Sequence, residues 1–148
     1  MSTPQSSPVR FQSASGNGEA ASAAETVRRA YRQVLKRNPD AVGLEHYRQL
    51  LEMAAIDVKT IVRDLLHSYE WKTKFVEGRT VPETVLALYD CVLSRAPDVD
   101  GWNQLTSWEP RNGWRTVIDG MLDGAEYEER FGCDLVPGEA RGDELAHR

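Results

Sequence analysis

The chain has 148 residues, of which 41% are hydrophobic and 28% are charged, and its formal net charge is −5. This composition is that of one ordinary globular domain and excludes an intrinsically disordered chain. The acidic balance argues against a nonspecific nucleic-acid binder, because contacts with phosphates supply most of that affinity, so we expect no nucleic-acid partner.

Features that would indicate a membrane protein or a metal protein are missing from the sequence. No run approaches the roughly 18 apolar residues of a transmembrane helix, and the N-terminus lacks the basic start and apolar run of a signal peptide. Cys91 and Cys133 have no metal-site spacing, so two free thiols are predicted. We expect a cytoplasmic protein without a membrane span, a metal or a cofactor.

The two ends of the chain differ in composition from its middle. Residues 1–22 are rich in Ser, Ala, Gly, Pro and Gln, and residues 138–148 are polar. Such segments bury too little apolar surface to order themselves, so a flexible arm and a flexible tail are predicted. The remaining residues, 23–137, are predicted to form one domain.

Apolar residues in this domain recur at helical spacing and predict an all-α fold. The four stripes are Val27, Tyr31, Val34 and Leu35; then Val58, Ile61, Val62, Leu65 and Leu66; then Val85, Leu88, Tyr89, Val92 and Leu93; and finally Val117, Ile118, Met121 and Leu122. No segment alternates with the period of two that a half-buried strand requires, so strands are not expected.

The stripes belong to an internal repeat. An offset of 58 positions carries Tyr31, Arg37, Pro39, Asp40 and Gly43 onto Tyr89, Arg95, Pro97, Asp98 and Gly101. An offset of 56 then carries Glu70, Trp71 and Phe75 onto Glu126, Tyr127 and Phe131. We predict two tandem helical units, about residues 25–78 and 83–135, which bury their apolar faces against each other.

The residues shared by the two units have the chemistry of a turn between helices. Proline disfavours helical backbone in the residue before it, and an aspartate beside it suits a turn or an N-cap. Asp100 is a candidate cap for the helix that opens at Gly101 and Trp102. Arg37 and Arg95 are expected to hydrogen-bond the nearby aspartates or the carbonyls at a helix end.

Two further interpretations concern helix capping and metal binding. Asp123 and Glu126 have the spacing of a capping box. Asp98, Asp100 and Glu109 occupy positions 1, 3 and 12 of a calcium loop, but the sixth position is Asn103 where the sharp turn favours glycine. The alternative of a small cation-binding module built on these carboxylates is weaker than helix capping. We find no catalytic motif and expect no enzyme.

Three basic residues, Arg28, Arg32 and Lys36, are spaced four apart on the first predicted helix. They would share one face beside the apolar stripe. A solvated surface explains them, and a docking surface for an acidic protein is the sharper alternative, because positive patches guide such encounters.

Five stretches of the sequence resemble a known family. They are VRRAYRQVLKRNPDAVGLEHYR at 27–48, SYEWKTKF at 68–75, LSRAP at 93–97, GWRTVIDGML at 113–122 and AEYEERFGCDLVPGEARG at 125–142. Together they are similar to the phycobilisome linker polypeptide domain. Ser94 departs from the usual glycine of the L-G-R-A-P turn, and Gly138 from the tyrosine of the V-P-Y ending.

The resemblance implies an all-α, non-catalytic linker that sits in ring-shaped phycobiliprotein hexamers, at the cytoplasmic face of a photosynthetic membrane. Besides the repeated turn residues, the motif positions that it matches include Trp114, Asp119, Tyr127 and Phe131. One alternative is a scaffold in a bacterium without phycobilisomes. Another is a surface-associated protein-interaction module, since such a module shares the R-x-P-D-x-x-G turn.

Overall fold

The computed structural model describes residues 16–107 and 113–139, which contain α-helices and no strand. The helices are α1 (Gly16–Val34), α2 (Ala41–Glu52), α3 (Val58–Leu66), α4 (Tyr69–Phe75), α5 (Val81–Leu88), α6 (Val99–Thr106), α7 (Arg115–Leu122) and α8 (Ala125–Arg130). A π-helical turn, Tyr89–Leu93, continues α5. The prediction of an all-α fold is confirmed for this part of the chain.

Helix α1 lies at the centre of the domain. It packs against α2 and α3, and its last turns also contact the π-helical turn of the second half. Helix α3 packs against α7, and α5 packs against α6. Within the described ranges, no helix is long and apolar enough to cross a membrane.

The predicted stripes form the core. The stripe residues of α1, α3 and α5 with its π-helical turn are all buried, and Val27, Val34, Ile61, Val85 and Leu88 have no exposed surface. The stripe of α7 divides: Ile118 and Leu122 are buried, while Val117 and Met121 are partly exposed at its edge.

The predicted arm and tail overlap the described residues at both ends. Helix α1 begins at Gly16, so residues 16–22 of the predicted arm are helical, which suits the good helix formers of the EAASAA segment. Glu139 of the predicted tail accepts a hydrogen bond at Oε2 from Arg29 Nη1 at 2.9 Å. The remaining parts, residues 1–15 and 140–148, lie outside the described residues.

Side-chain caps fix the starts of several helices. Asp98 follows Pro97 with extended backbone, and its carboxylate accepts a hydrogen bond from the Gly101 N–H at 2.7 Å. The cap of α6 is therefore Asp98, and the assignment to Asp100 was wrong because Asp100 already lies in the first helical turn. A cap in this position typically contributes about 1 kcal/mol.

The capping box predicted at Asp123 is also wrong. The residue before α8 is Gly124, which has no side chain to accept a hydrogen bond. The Asp123 carboxylate is used elsewhere, because Oδ1 accepts a hydrogen bond from Arg63 Nη2 of α3 at 2.8 Å.

Candidate functional site

Arg37 organises the first turn site, which joins α1 to α2 and consists of Tyr31, Arg37, Asp40, Gly43 and Glu70. The Arg37 guanidinium donates two hydrogen bonds to Glu70 of α4, from Nε to Oε2 at 2.6 Å and from Nη2 to Oε1 at 2.7 Å. Nη1 donates to the carbonyl of Asn38 at 2.8 Å. The guanidinium carbon also lies 5.3 Å from the centroid of the Tyr31 ring. One arginine therefore ties the end of α1 to α4.

The second turn site, between the π-helical turn and α6, has the same contacts. Arg95 donates from Nε and Nη2 to the two carboxylate oxygens of Glu126, each at 2.7 Å. Nη1 donates to the carbonyl of Ala96 at 2.8 Å, and the guanidinium carbon lies 5.1 Å from the Tyr89 ring centroid. Two paired hydrogen bonds of this kind fix orientation as well as adding energy.

A second cation completes each site. Lys74 Nζ lies 3.2 Å from Glu70 Oε2 and donates to the carbonyl of Leu35 at 2.7 Å. Arg130 Nη1 lies 3.0 Å from Glu126 Oε2 and donates to the carbonyl of Leu93 at 2.7 Å. Each carboxylate is thus held between two cations, and each cation also satisfies a carbonyl at a helix end.

The glycines of the two sites are required by close packing against tyrosine. A Cβ built on Gly43 would lie 2.5 Å from the Tyr31 hydroxyl oxygen. A Cβ on Gly101 would collide in the same way with the Tyr89 hydroxyl. The capping aspartate is the next closest neighbour at both positions, 3.0 Å away at Gly43 and 2.8 Å at Gly101. The tyrosine before each turn therefore excludes any side chain at the start of the helix that follows.

Both glutamates of the turn sites have a lowered pKa. Hydrogen bonds from Arg37 lower the pKa of Glu70 to about 2. Hydrogen bonds from Arg95 are likewise the main reason that the pKa of Glu126 lies below its usual value. Burial raises the pKa of both Tyr31 and Tyr89. Both carboxylates remain ionised at neutral pH, which suits a permanent ion pair and does not suit proton transfer.

The partners of the arginines were missed by the sequence analysis. Arg37 and Arg95 do bond neighbouring carbonyls as expected, but their carboxylate partners are Glu70 and Glu126 rather than the adjacent aspartates. The aspartates are already engaged as helix caps. The signal that could have identified the partners is that Glu70 and Glu126 are themselves matched between the two halves.

Asp119 belongs to an ionic cluster that connects α3 with α7. Its Oδ1 accepts a hydrogen bond from Arg63 Nη1 at 2.7 Å and lies 2.8 Å from His67 Nε2. The hydrogen bond with His67 is the largest cause of the lowered pKa of Asp119. This cluster joins one half of the chain to the other.

The aromatic positions also come together in pairs. Trp71 and Phe75 have ring centroids 5.3 Å apart in the first half, and Tyr127 and Phe131 have ring centroids 5.2 Å apart in the second. Trp71, Tyr127 and Phe131 are almost completely buried. Trp114 is buried at the start of α7, and Trp102 of α6 is partly buried against the core.

The three basic residues predicted to share a helix face do not all lie on α1. Arg28 and Arg32 lie on α1, and both have an ion pair with Glu25, at 3.6 and 3.9 Å. Lys36 lies beyond α1 with a φ of 61° and pairs with Asp90 at 2.6 Å. The three side chains remain 40–51% exposed, but each has an acidic neighbour from this chain.

The candidate calcium ligands are not brought together as a described site. Asp98 Oδ1 already accepts the hydrogen bond from Gly101 N, and Glu109 lies outside the described residues. In residues 16–107 and 113–139, no group of three or more His, Cys, Asp and Glu side chains is placed to hold a metal ion.

Both cysteines are free, as predicted. Cys91 is buried in the π-helical turn with its Sγ 3.5 Å from the carbonyl oxygen of Val34, and burial raises the pKa of its thiol to about 11. Cys133 is exposed. Cys91 is therefore a packing residue with little thiolate character.

These features define an all-α domain whose matched polar side chains are engaged in internal ion pairs and caps. The family model of the phycobilisome linker polypeptide matches residues 18–140, which include both turn sites. The chain belongs to this family.

Two relatives illustrate the similarity. The phycobilisome rod-core linker polypeptide CpcG2 of Nostoc sp. is 30% identical over 125 residues, which cover 79% of this chain and 49% of the relative. The phycocyanin-associated 32.1 kDa rod linker polypeptide of Synechocystis sp. is 31% identical over 115 residues, which cover 75% of this chain and 39% of the relative. The chain spans half or less of the length of these relatives.

Proposed function

We propose that this chain is a non-catalytic linker domain that docks to ring assemblies of phycobiliproteins and helps to organise a light-harvesting antenna. It would work on the cytoplasmic side of the photosynthetic membrane. Membership of the phycobilisome linker family supports the proposal, and so do the names of the two relatives, one a rod-core linker and the other phycocyanin-associated.

The observation that carries the non-catalytic part of the proposal is the internal use of the matched polar groups. Arg37 donates to Glu70, and Arg95 donates to Glu126, through hydrogen bonds of 2.6–2.7 Å. A catalytic acid, base or nucleophile must face a reacting atom within hydrogen-bond reach. These groups are positioned instead to hold two helix turns rigid, and a rigid shape is what a docking domain needs.

The same proposal includes an architecture of two tandem units, about residues 25–78 and 83–135. The matched arginine–glutamate pairs, the matched caps at Asp40 and Asp98 and the matched glycine–tyrosine contacts support it. Neither unit could bury its apolar face alone, because α1 of the first packs against the π-helical turn of the second.

Co-sedimentation with purified phycocyanin hexamers tests the proposed function. The chain is expected to move with the coloured hexamers on a sucrose gradient and to change their absorption or emission maximum. A chain with an unchanged far-UV circular dichroism spectrum that stays at the top of the gradient would contradict the proposal. Bovine serum albumin, also acidic, is a control for nonspecific association.

The surface formed by Arg28, Arg32 and Lys36 is a candidate contact within this proposal. Replacing Arg28 by glutamine removes no contact of the turn sites, so a loss of hexamer binding in Arg28→Gln would be assigned to this surface. Arg32 is kept, because it donates a hydrogen bond to Asn38 of the first turn at 2.8 Å. Unchanged binding would exclude it as a contact.

A further inference from the structure

A groove of about 570 Å³ lies between α4 and the start of α7. Its walls are mainly apolar and include Leu66, Tyr69, Val76, Trp114 and Ile118. Tyr69 is 74% exposed, which makes its ring accessible at the edge of the groove. Exposed apolar grooves with an aromatic wall are common at sites of protein association.

The charged residues of this groove are cations that have no acidic partner among the described residues. Lys72 and Arg115 both line it and both are exposed. Among the described lysines and arginines, Lys72, Arg79 and Arg115 are those without an ion pair. Two of these three cations therefore meet at one groove, whereas Arg28, Arg32 and Lys36 are paired within the chain.

A polar group at the inner side of the groove also lacks a partner. His67 lines the groove, and its Nε2 lies 2.8 Å from Asp119 Oδ1. Its Nδ1 is buried and has no hydrogen-bond partner among the described residues. Buried polar atoms usually have a partner, so the groove combines two unpaired charges with one unsatisfied ring nitrogen.

We propose that this groove binds an acidic segment of the partner protein that carries an aromatic side chain. The aromatic ring would pack against the exposed ring of Tyr69, and carboxylates beside it would pair with Lys72 and Arg115. Complementary charge gives specificity and a faster encounter, and the apolar wall gives the contact area. This inference rests on the proposed docking function, for which it names a contact surface.

A short peptide tests the groove independently of any phycobiliprotein. The probe is a blocked peptide of sequence Glu-Asp-Trp-Glu-Asp, and its neutral analogue is Gln-Asn-Trp-Gln-Asn. In NMR spectra of the ¹⁵N-labelled chain, the acidic peptide is expected to shift the Tyr69 and Lys72 amides and the Trp114 indole signal. Shifts elsewhere, equal binding of the neutral peptide or no shift at millimolar concentration would overturn the inference.

Charge-reversal variants provide the matched control. The double variant Lys72→Glu/Arg115→Glu is expected to bind the acidic peptide about tenfold more weakly, since it replaces two attractive pairs by repulsive ones. Arg79→Glu reverses one unpaired cation outside the groove and is therefore compared with the single variant Lys72→Glu. Arg79→Glu is expected to bind like the unmodified chain, and Lys72→Glu more weakly. Equal losses in both variants would indicate a net-charge effect and would overturn the inference.

The same variants in the hexamer experiment separate the two proposals. If the unmodified chain binds hexamers and the groove variant does not, while Arg79→Glu does, both proposals are supported. If all three bind equally, the groove inference fails and the docking function stands. If the peptide binds in the groove but neither the unmodified chain nor any variant binds hexamers, the proposed phycobiliprotein function fails and the site for an acidic segment stands.

Discussion

The two turn sites have the same contacts in different surroundings. In the first, α1 remains α-helical to Val34, and Ser68 caps α4 by accepting a hydrogen bond from Trp71 N at 3.1 Å. In the second, the helix widens into a π-helical turn, and Gly124 leaves α8 without a side-chain cap. The difference teaches that the arginine, glutamate, aspartate and glycine define the turn, whereas the flanking helices can vary.

The two turn sites also contact each other, so a change in one can affect the other. Lys36 of the first half pairs with Asp90 of the second at 2.6 Å. Gln33 Nε2 donates to the backbone carbonyls of Asp90 and Cys91 at 2.6 and 3.2 Å. A π-helical turn shifts the usual i to i−4 hydrogen bonds, and Gln33 supplies donors to carbonyls in that turn.

The largest effect is expected from the paired aromatic residues. Trp71→Ala and Tyr127→Ala each leave a large cavity, and each is expected to lower the free energy of unfolding by about 3–5 kcal/mol. Urea denaturation measures both values. Tyr69→Ala is the control, because a side chain that is 74% exposed should change stability by less than about 0.5 kcal/mol. A much smaller loss for Tyr127 than for Trp71 would show that the two halves are not equally packed.

Replacing glycine by alanine should lower stability at the turn sites but not at an ordinary helix position. Gly43→Ala and Gly101→Ala push a Cβ into the hydroxyl of a largely buried tyrosine, and each is expected to cost about 1–3 kcal/mol. Gly120→Ala in α7 is the matched control, since nothing lies within 4 Å of the point that a Cβ would occupy there; it is expected to add about 0.5–1 kcal/mol through helix propensity. Thermal unfolding of the three variants tests this contrast. A stabilising Gly101→Ala would show that the tyrosine can move aside.

Helices and turns could be predicted from the sequence because each depends mainly on residues that are close together in the chain. Helical spacing identified the stripes, and the aspartate that follows each proline lies where a cap is needed. Asp98 and Asp100 could not be separated from sequence alone, since the choice depends on the backbone angles after Pro97. Periodicity likewise placed Lys36 on the first helix, although that helix ends at Val34 and Lys36 itself has left-handed backbone.

Contacts between distant residues could not be predicted in the same way. The carboxylates of Glu70 and Glu126 reach their arginines only after the chain has folded back through two further helices. The groove beside Tyr69 depends on the approach of α4 to α7, which no local pattern encodes. Helical spacing therefore indicates Arg28, Arg32 and Lys36 as a candidate docking surface, whereas no local pattern indicates Lys72 and Arg115.

The ion pairs of the turn sites should make stability depend on pH. The pKa of Glu70 falls from 4.5 to about 2 on folding, so the unfolded chain binds the proton first as the pH decreases. The stabilisation is present above pH 4.5 and is lost as the pH falls towards 2. Glu70→Gln is expected to cost about 1 kcal/mol near neutral pH and almost nothing in strong acid, since a partly exposed pair is screened by solvent.

Glu126→Gln sharpens the comparison, since Arg95 lowers the pKa of Glu126 in the same direction. Urea titrations at several pH values should show a loss of the same sign for both variants. A loss that is independent of pH would contradict an electrostatic origin and would indicate that the glutamates act through packing.

The smallest effect is expected where each turn leaves its first helix. Lys36 and Ser94 both have left-handed backbone, with φ of 61° and 54°, which glycine adopts more readily than other residues. Ser94→Gly is expected to raise stability by about 0.5–1 kcal/mol. Lys36→Gly should gain less, because it also removes the ion pair with Asp90. Differential scanning calorimetry compares the two, and a destabilising Ser94→Gly would contradict this explanation.

The buried thiol of Cys91 can be used to measure local opening of the domain. Its sulfur is buried against the end of α1, so a thiol reagent can reach it only when the packing around the π-helical turn opens. The exposed Cys133 is accessible to the reagent without any opening and serves as an internal reference. The rate at which Cys91 becomes labelled therefore measures how often the π-helical turn is exposed, without any change to the sequence.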